Sequence, residues 1–300
     1  MRQLDNTIAR STASPGGPPA AMPRWLRAAR VIHPFPTLLN VAATAGLAFV
    51  AAEGAPDGST LARMLAVMLL AQSAIGVTND IFDRDLDAAA KPWKPIPSGA
   101  VSLRTAAGLA LAFMAGAVIF ASTLGVASFA LAMLGMCCGL AYDVRLKRTL
   151  LSAVPFMLAI PTLPSWIWVT LDEWEDVLWW LWPIGALMVL AIHLANTLPD
   201  IDDDVRHGVR GMPHYLGAGR SRALSWAAFA IALGLAAIVG VAADADDALL
   251  VIALAVGAFA LAAAIGTYSV RRDGLADQVG FGLMGIGAAV AATGWLAAVA

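Results

Sequence analysis

Two stretches of this 300-residue chain concentrate carboxylates in an otherwise apolar sequence. The first reads Asn79-Asp80-Ile81-Phe82-Asp83-Arg84-Asp85-Leu86-Asp87, the second Asn196-Thr197-Leu198-Pro199-Asp200-Ile201-Asp202-Asp203-Asp204. On a continuing helix Asp80, Asp83 and Asp87 fall on one face, and Asp85 points elsewhere. In the second stretch Asn196, Asp200 and Asp204 share a face, Gly208 continues the spacing, and His193 precedes Asn196 by one turn. Pro199 is expected to kink or loosen that helix. Carboxylates this close repel one another. Their hard oxygens suit Mg²⁺, which keeps several waters and completes its octahedron with substrate phosphates. Two face-matched clusters therefore suggest a metal held between protein carboxylates and a diphosphate; the plain alternative is a solvated acidic loop.

Basic residues accompany both clusters. Lys91-Pro92-Trp93-Lys94-Pro95-Ile96-Pro97-Ser98-Gly99 follows the first, Arg206 follows the second, and Tyr142-Asp143-Val144-Arg145-Leu146-Lys147-Arg148 lies between them in sequence. Lys91, Lys94, Lys147 and Arg206, with Asn196, are the candidate diphosphate-binding set, since cations can neutralise diphosphate oxygens and stabilise a leaving group. Membrane anchoring by loop Lys and Arg would put positive charge there regardless of function. Lys94 and Lys147 stand out for their sequence contexts.

The elements that must position these groups are apolar. Of all residues 60% are hydrophobic and 13% are charged, against roughly 25% charged in a soluble domain. The excess falls in nine runs, at about 36–53, 60–79, 104–122, 125–142, 150–170, 176–197, 223–243, 247–269 and 276–298. Each approaches or exceeds the length that crosses a bilayer core of roughly 30 Å. The expected class is all-α, a polytopic membrane protein with about nine transmembrane helices, not a soluble helical core. The clusters end the second and sixth runs. Lys and Arg gather in alternate loops (Arg24 to Arg30, Arg84 to Arg104, Arg145 to Arg148, Arg206 to Arg222, Arg271 and Arg272), with Arg63 as the exception. That bias puts the N-terminus and both clusters in the cytoplasm and the C-terminus outside. Residues 1–23 lack the apolar core of a signal peptide and read as a disordered tail, leaving 24–300 as the membrane domain. Cys137 and Cys138 are adjacent within an apolar run and read as packing residues. Abundant Ala and Arg suggest a GC-rich bacterial genome, hence a bacterial plasma membrane. The long loops after the second and sixth runs read as functional segments without obvious structure of their own.

The pair N-D-x-x-D-x-x-x-D in Asn79 to Asp87 and D-x-x-x-D-x-x-x-G in Asp200 to Gly208, on a nine-span chain, resembles the UbiA-type membrane prenyltransferases from about residue 24 onward. That resemblance implies helices around a central cavity, a cytoplasmic cap formed by the loops after helices two and six, and an allylic diphosphate bound through Mg²⁺. It implies metal-ligand roles for Asn79, Asp80, Asp83, Asp87, Asp200 and Asp204. Tyr142 to Arg148 looks like the family's basic segment that contacts diphosphate and acceptor. Asp200, Tyr142, Lys147 and Arg148 are thus the candidate catalytic residues, and Asp200 is alternatively a base toward a phenolic acceptor. Lys91 to Gly99 looks like the R-P-I-P-S-G stretch of chlorophyll synthases and archaeal lipid prenyltransferases, with Lys94 in place of Arg. Gly211-Met212-Pro213 departs from the usual Ser/Thr-containing continuation.

The expected chemistry is ionisation of an allylic diphosphate, shelter of the carbocation in an apolar cavity, and capture by a lipophilic or aromatic acceptor. Trp166, Trp168, Phe82 and Phe156 are candidates to face the cation. Arg148 is the candidate partner for a carboxylated acceptor. The partners are then prenyl diphosphate, acceptor and membrane lipids, with no nucleic acid. A terpene cyclase would share these motifs, and an ion-coupled transporter would also carry intramembrane carboxylates. The loop charges make a direct prediction. On a Cys137→Ala, Cys138→Ala background, Asp244→Cys should react with an impermeant maleimide in intact cells, whereas Arg104→Cys should react only after permeabilisation.

Overall fold

The computed structural model describes residues 23–201 and 211–299. Among them nine helices are long and apolar enough to cross a membrane. Their α-helical parts are α1 (Pro34–Ala51), α2 (Gly58–Phe82), α3 (Leu103–Ala121), α4 (Val126–Val144), α5 (Val154–Leu171), α6 (Leu181–Thr197), α7 (Ala218–Ala242), α8 (Asp247–Arg271) and α9 (Gly274–Val299), and 3₁₀ turns extend the sixth span to Asp176–Asp200. No strand occurs among the described residues. The expected all-α, nine-span architecture is what forms. The anticipated tail lies almost wholly outside the described residues.

Local signals account for the boundaries. Asp57 starts α2 by accepting the Thr60 amide at 2.8 Å, and Ser102 starts α3 by accepting that of Thr105 at 3.1 Å. Pro155 in the first turn sets the start of α5, later than hydrophobicity alone suggested. α6 also begins later, because Asp176–Trp180 winds as a 3₁₀ turn. α7 begins earlier, at Ala218, directly after Gly217 in the left-handed region (φ 77°). The early start carries Arg222 into the helix. Its guanidinium grips Asp277 of α9 with two 2.8 Å hydrogen bonds and lies 3.7 Å from the centre of the Tyr268 ring on α8. Three helices are thus joined by one buried cation.

The helices pack in sequence order, and α9 returns to touch α1 and α6, closing the bundle. Large apolar side chains face outward, Phe35, Phe259 and Val270 among them, as lipid contact requires. The interior at the end away from the clusters is filled by Met64, Trp166, Ile167, Trp168 and Leu178. Trp166 donates to Ser128 at 2.9 Å and Trp295 to the Ala236 carbonyl at 2.9 Å, so both indoles are satisfied. Trp166 and Trp168 belong to this core and do not line the main cavity, while Phe82 is half exposed; of the four aromatic candidates only Phe156 lines it.

α8 and α9 meet through small residues at seven-residue spacing. A Cβ on Gly287 would collide with Ala260, and one on Gly294 would come within 2.7 Å of the Ala253 Cβ. Gly280 faces Ala264 in the same row. Such close backbone approach is how helices associate where lipid offers no hydrophobic drive. Gly287→Leu should therefore cost roughly 1–3 kcal/mol of overpacking and lower the melting temperature in detergent. Gly282→Leu, on an open face, should leave it unchanged.

Candidate active site

A cavity of about 570 Å³ runs inside the bundle. One stripe of α6 forms a wall: Leu181, Ile184, Met188, Ile192 and Asn196 recur at helical spacing. At 1.5 Å per residue that stripe is roughly 22 Å long. Leu181, Ala236, Trp295 and Leu296 belong both to the cavity wall and to the packed core, which closes that end. At the other end the lining turns polar, with Tyr142, His193, Asn196 and Thr197. On α5 Pro161 and Pro164 face the cavity, and the Ser165 hydroxyl donates to the Pro161 carbonyl one turn back at 2.9 Å.

The first Asp cluster lies at that polar end, and its helix does not continue as the spacing expected. α2 ends at Phe82; Asp83 is a one-residue break (φ −93°, ψ 2°) before a second short helix, Arg84–Ala90. The break splits the three carboxylates into two groups. Asp80 and Asp87 turn to one lysine: Lys94 Nζ donates to Asp80 Oδ1 at 2.9 Å and to Asp87 Oδ2 at 2.7 Å. Asp83 turns the other way, accepting from Lys147 Nζ at 2.6 Å and from Arg148 at 3.1 Å. The physical reason is compensation. Three carboxylates aimed at one point would repel, and separating them lets each meet a cation. The loop that joins α2 to α3 is correspondingly ordered, contrary to its expected lack of structure.

Two acidic-site partners were not anticipated. His33, just before α1, adopts a left-handed backbone (φ 50°) and brings Nε2 to 3.0 Å from Asp80 Oδ1. It packs against α2 at Gly76, where a Cβ would come within 3.2 Å of the His33 Cβ and Cγ. Asp143, buried on α4, accepts the Asn79 side-chain amide at 2.7 Å and has Lys147 Nζ at 3.7 Å. Engaging the Asn79 nitrogen there leaves its carbonyl oxygen to accept elsewhere. A sequence signal existed for His33: it is a lone imidazole at a span end on the side that carries the clusters. Asp143 stood within the basic segment but was overshadowed by its neighbours.

Four carboxylates (Asp80, Asp83, Asp87, Asp143) face three permanent cations (Lys94, Lys147, Arg148), so this half-site keeps an excess of negative charge. Asp80 Oδ2 is buried and has no hydrogen-bond partner among the described residues. A bare buried carboxylate oxygen is costly unless something else meets it. Among the described residues no three Asp, Glu, His or Cys side chains converge tightly enough to hold an ion by themselves. Lys91 is exposed, and its ammonium meets no carboxylate among the described residues. Asn196 and Asp200 stand at the cavity mouth and just beyond the end of α6, where the helix tightens into a 3₁₀ turn over Leu198–Asp200 at Pro199. Asp204, Arg206 and Gly208 lie outside the described residues. Arg148 pairs with Asp83 and is not among the cavity-lining residues.

The UbiA prenyltransferase family profile matches residues 39–285. The chain belongs to the UbiA prenyltransferase family. It is 29% identical over 187 residues to 4-hydroxybenzoate octaprenyltransferase of Vibrio atlanticus, covering 60% of this chain and 65% of that protein. It is 30% identical over 187 residues to digeranylgeranylglyceryl phosphate synthase of Natronomonas pharaonis, covering 61% and 67%. The chain thus spans just under two thirds of the length of the Vibrio relative. Its fold matches a solved digeranylgeranylglyceryl phosphate synthase with a TM-score of 0.77 at 14% identity, over 93% of this chain and 99% of that one. It also matches a UbiA homolog from Archaeoglobus fulgidus bound to GPP and Mg²⁺, with a TM-score of 0.64 at 17% identity, over 90% and 100%. The UbiA assignment read from the paired motifs therefore holds.

Lys94 lies outside the spanning helices, and its charge state follows from its surroundings. Burial opposes the charge, but hydrogen bonds to Asp87 and Asp80 outweigh it and raise its pKa above the ordinary lysine value. The stability this cation contributes is complete below that ordinary value and is lost only as pH climbs through the raised one. An amine-acylating reagent in mild alkali should therefore modify Lys91 and spare Lys94, read by peptide mass spectrometry. Asp87→Asn should expose Lys94 to the reagent.

Proposed function

We propose that this chain transfers an isoprenoid group from an allylic diphosphate to an acceptor within the membrane, with the diphosphate held at the cytoplasmic end of the cavity. The junction at Tyr142 and Asp143 is the observation that supports this most. In one residue step α4 passes from the wall of a long apolar cavity to a lattice of carboxylates and cations. A substrate with a charged head and an apolar tail matches that arrangement. The names of the Vibrio and Natronomonas relatives, and the GPP and Mg²⁺ bound to the Archaeoglobus homolog, point the same way.

The donor set fits Mg²⁺. It is all oxygen, carries excess negative charge, and includes the unpartnered Asp80 Oδ2. Asn79, Asp80, Asp83 and Asp87 would hold it together with Asp200 and Asp204. When bound, Mg²⁺ supplies positive charge to the diphosphate as the allylic C–O bond breaks. The chain's own cations do the rest. Lys94, Lys147 and Arg148 are already oriented by their aspartates, and each keeps further N–H groups for diphosphate oxygens. Lys91, Asn196 and Arg206 complete that binding set. Below it the cavity keeps water from the carbocation, and the Tyr142 and Phe156 rings, 4.5 Å apart, offer it their faces. The acceptor's electron pair then forms the bond to the cationic carbon, diphosphate departs, and the acceptor gives up a proton; Asp200 takes that proton from a phenol in the alternative in which it does not hold the metal.

Purified protein with geranyl, farnesyl or geranylgeranyl diphosphate and an acceptor should release diphosphate only with divalent metal, and a chelator should stop it. Asp80→Asn and Asp83→Ala should each lower the rate by about 10²-fold or more, as loss of an electrostatic stabiliser does. Unchanged turnover in both variants sinks the proposal. A volatile hydrocarbon or alcohol formed without acceptor would instead assign the site to cyclisation.

A further inference from the structure

Beneath the Asp lattice, one polar group faces the cavity from an unusually determined position. His193, on the cavity stripe of α6, brings Nε2 to 3.1 Å from the Ser152 hydroxyl. Ser152 is 2% exposed, at the turn before α5, and its oxygen also accepts the Met212 amide at 2.9 Å. Met212 belongs to the segment that follows the second Asp cluster. Gly211 permits this closure, because a Cβ there would stand 3.0 Å from the Ser152 oxygen and 3.3 Å from the Lys147 carbonyl.

The arrangement fixes a tautomer. A serine hydroxyl has one proton to donate, and a buried one needs an acceptor. The Met212 N–H is already a donor, and among the described residues His193 Nε2 is the acceptor that stands within reach of the Ser152 proton, so that proton is assigned to it. The imidazole is then neutral, with its own proton on Nδ1, and Nδ1 has no partner among the described residues. The ring is tilted against Phe156 (centroids 5.7 Å apart), which in turn packs edge-on to Tyr142. The cavity's polar end thus carries three contiguous rings and a directed N–H donor. No described residue lining the cavity is a permanently charged one.

We propose that His193 is an acceptor-binding residue: its Nδ1–H donates to an oxygen of a planar, uncharged acceptor ring that stacks beside Phe156 and Tyr142. The proposal rests on the prenyl-transfer reading and adds the acceptor class to it. Ser152, held by Met212, is the positioning residue that keeps the Nδ1–H form.

Two readouts on the full-length protein test this. In ¹⁵N-histidine NMR, with His193 assigned by its loss in His193→Asn, the resonances should show the Nδ1-protonated form, and methyl 4-hydroxybenzoate should shift them. An Nε2-protonated ring, or no shift on adding the phenol, overturns the proposal whether or not the protein turns over. In transfer assays with geranyl diphosphate and methyl 4-hydroxybenzoate, His193→Phe should raise the KM for the phenol about tenfold, the loss of one hydrogen bond. The KM for geranyl diphosphate should not move. His193→Asn, which keeps a donor near Nδ1, should recover most of the loss; His193→Gln, which keeps one near Nε2, should not. Rescue by Gln alone, a changed geranyl diphosphate KM alone, or prenylation of a glyceryl phosphate lipid but not of the phenol overturns the assignment. Absence of diphosphate release by the unaltered protein under every condition is the separate failure of the prenyl-transfer reading.

Discussion

A lysine seated between two buried aspartates governs this end of the bundle. Asp80 and Asp87 are nearly removed from solvent, and without Lys94 they would repel each other at short range. Breaking such a buried arrangement by deleting one partner leaves an uncompensated charge, typically costing 3–5 kcal/mol. The segment from Lys91 to Ser102 must therefore fold back over the end of α2. A second compensated group, Asp83 with Lys147 and Arg148, draws the turn after α4 to the same place. The lattice thus stands at the polar end of the cavity, next to Tyr142.

The two halves of the chain communicate through this lattice. Lys147 holds Asp83 with its side chain, while its carbonyl lies against Gly211 beyond the second cluster. Ser152, five residues later, ties Met212 to His193. One short connection between α4 and α5 thus touches the first cluster, the segment after the second, and the cavity wall. The Asp motifs are far apart in sequence, yet the residues that relate them span Lys147 to Ser152.

The spans were legible because a bilayer sets a length that few other contexts impose, and nine apolar runs met it. The first motif was legible because like charges beside lipid need an explanation; most of the second lies outside the described residues. The break at Asp83 was not legible, because it depends on cations that arrive from the turn after α4 rather than on anything local. His33 and Asp143 were missed for the same reason: their importance lies in partners 47 and 64 residues away. The tryptophans show the opposite failure. Trp166 and Trp168 carry the ring a cation would use, but nothing in local sequence separates a cavity-facing indole from a packed one.

The small-residue row between α8 and α9 also restricts how this protein can diverge. Gly287 against Ala260 and Gly294 against Ala253 leave no volume to spare. The two sides can exchange glycine for alanine, but neither can grow while the other stays as it is. An enlargement on one helix therefore calls for a smaller residue opposite it on the other, whereas the lipid-facing side of the same helices is under no such steric coupling.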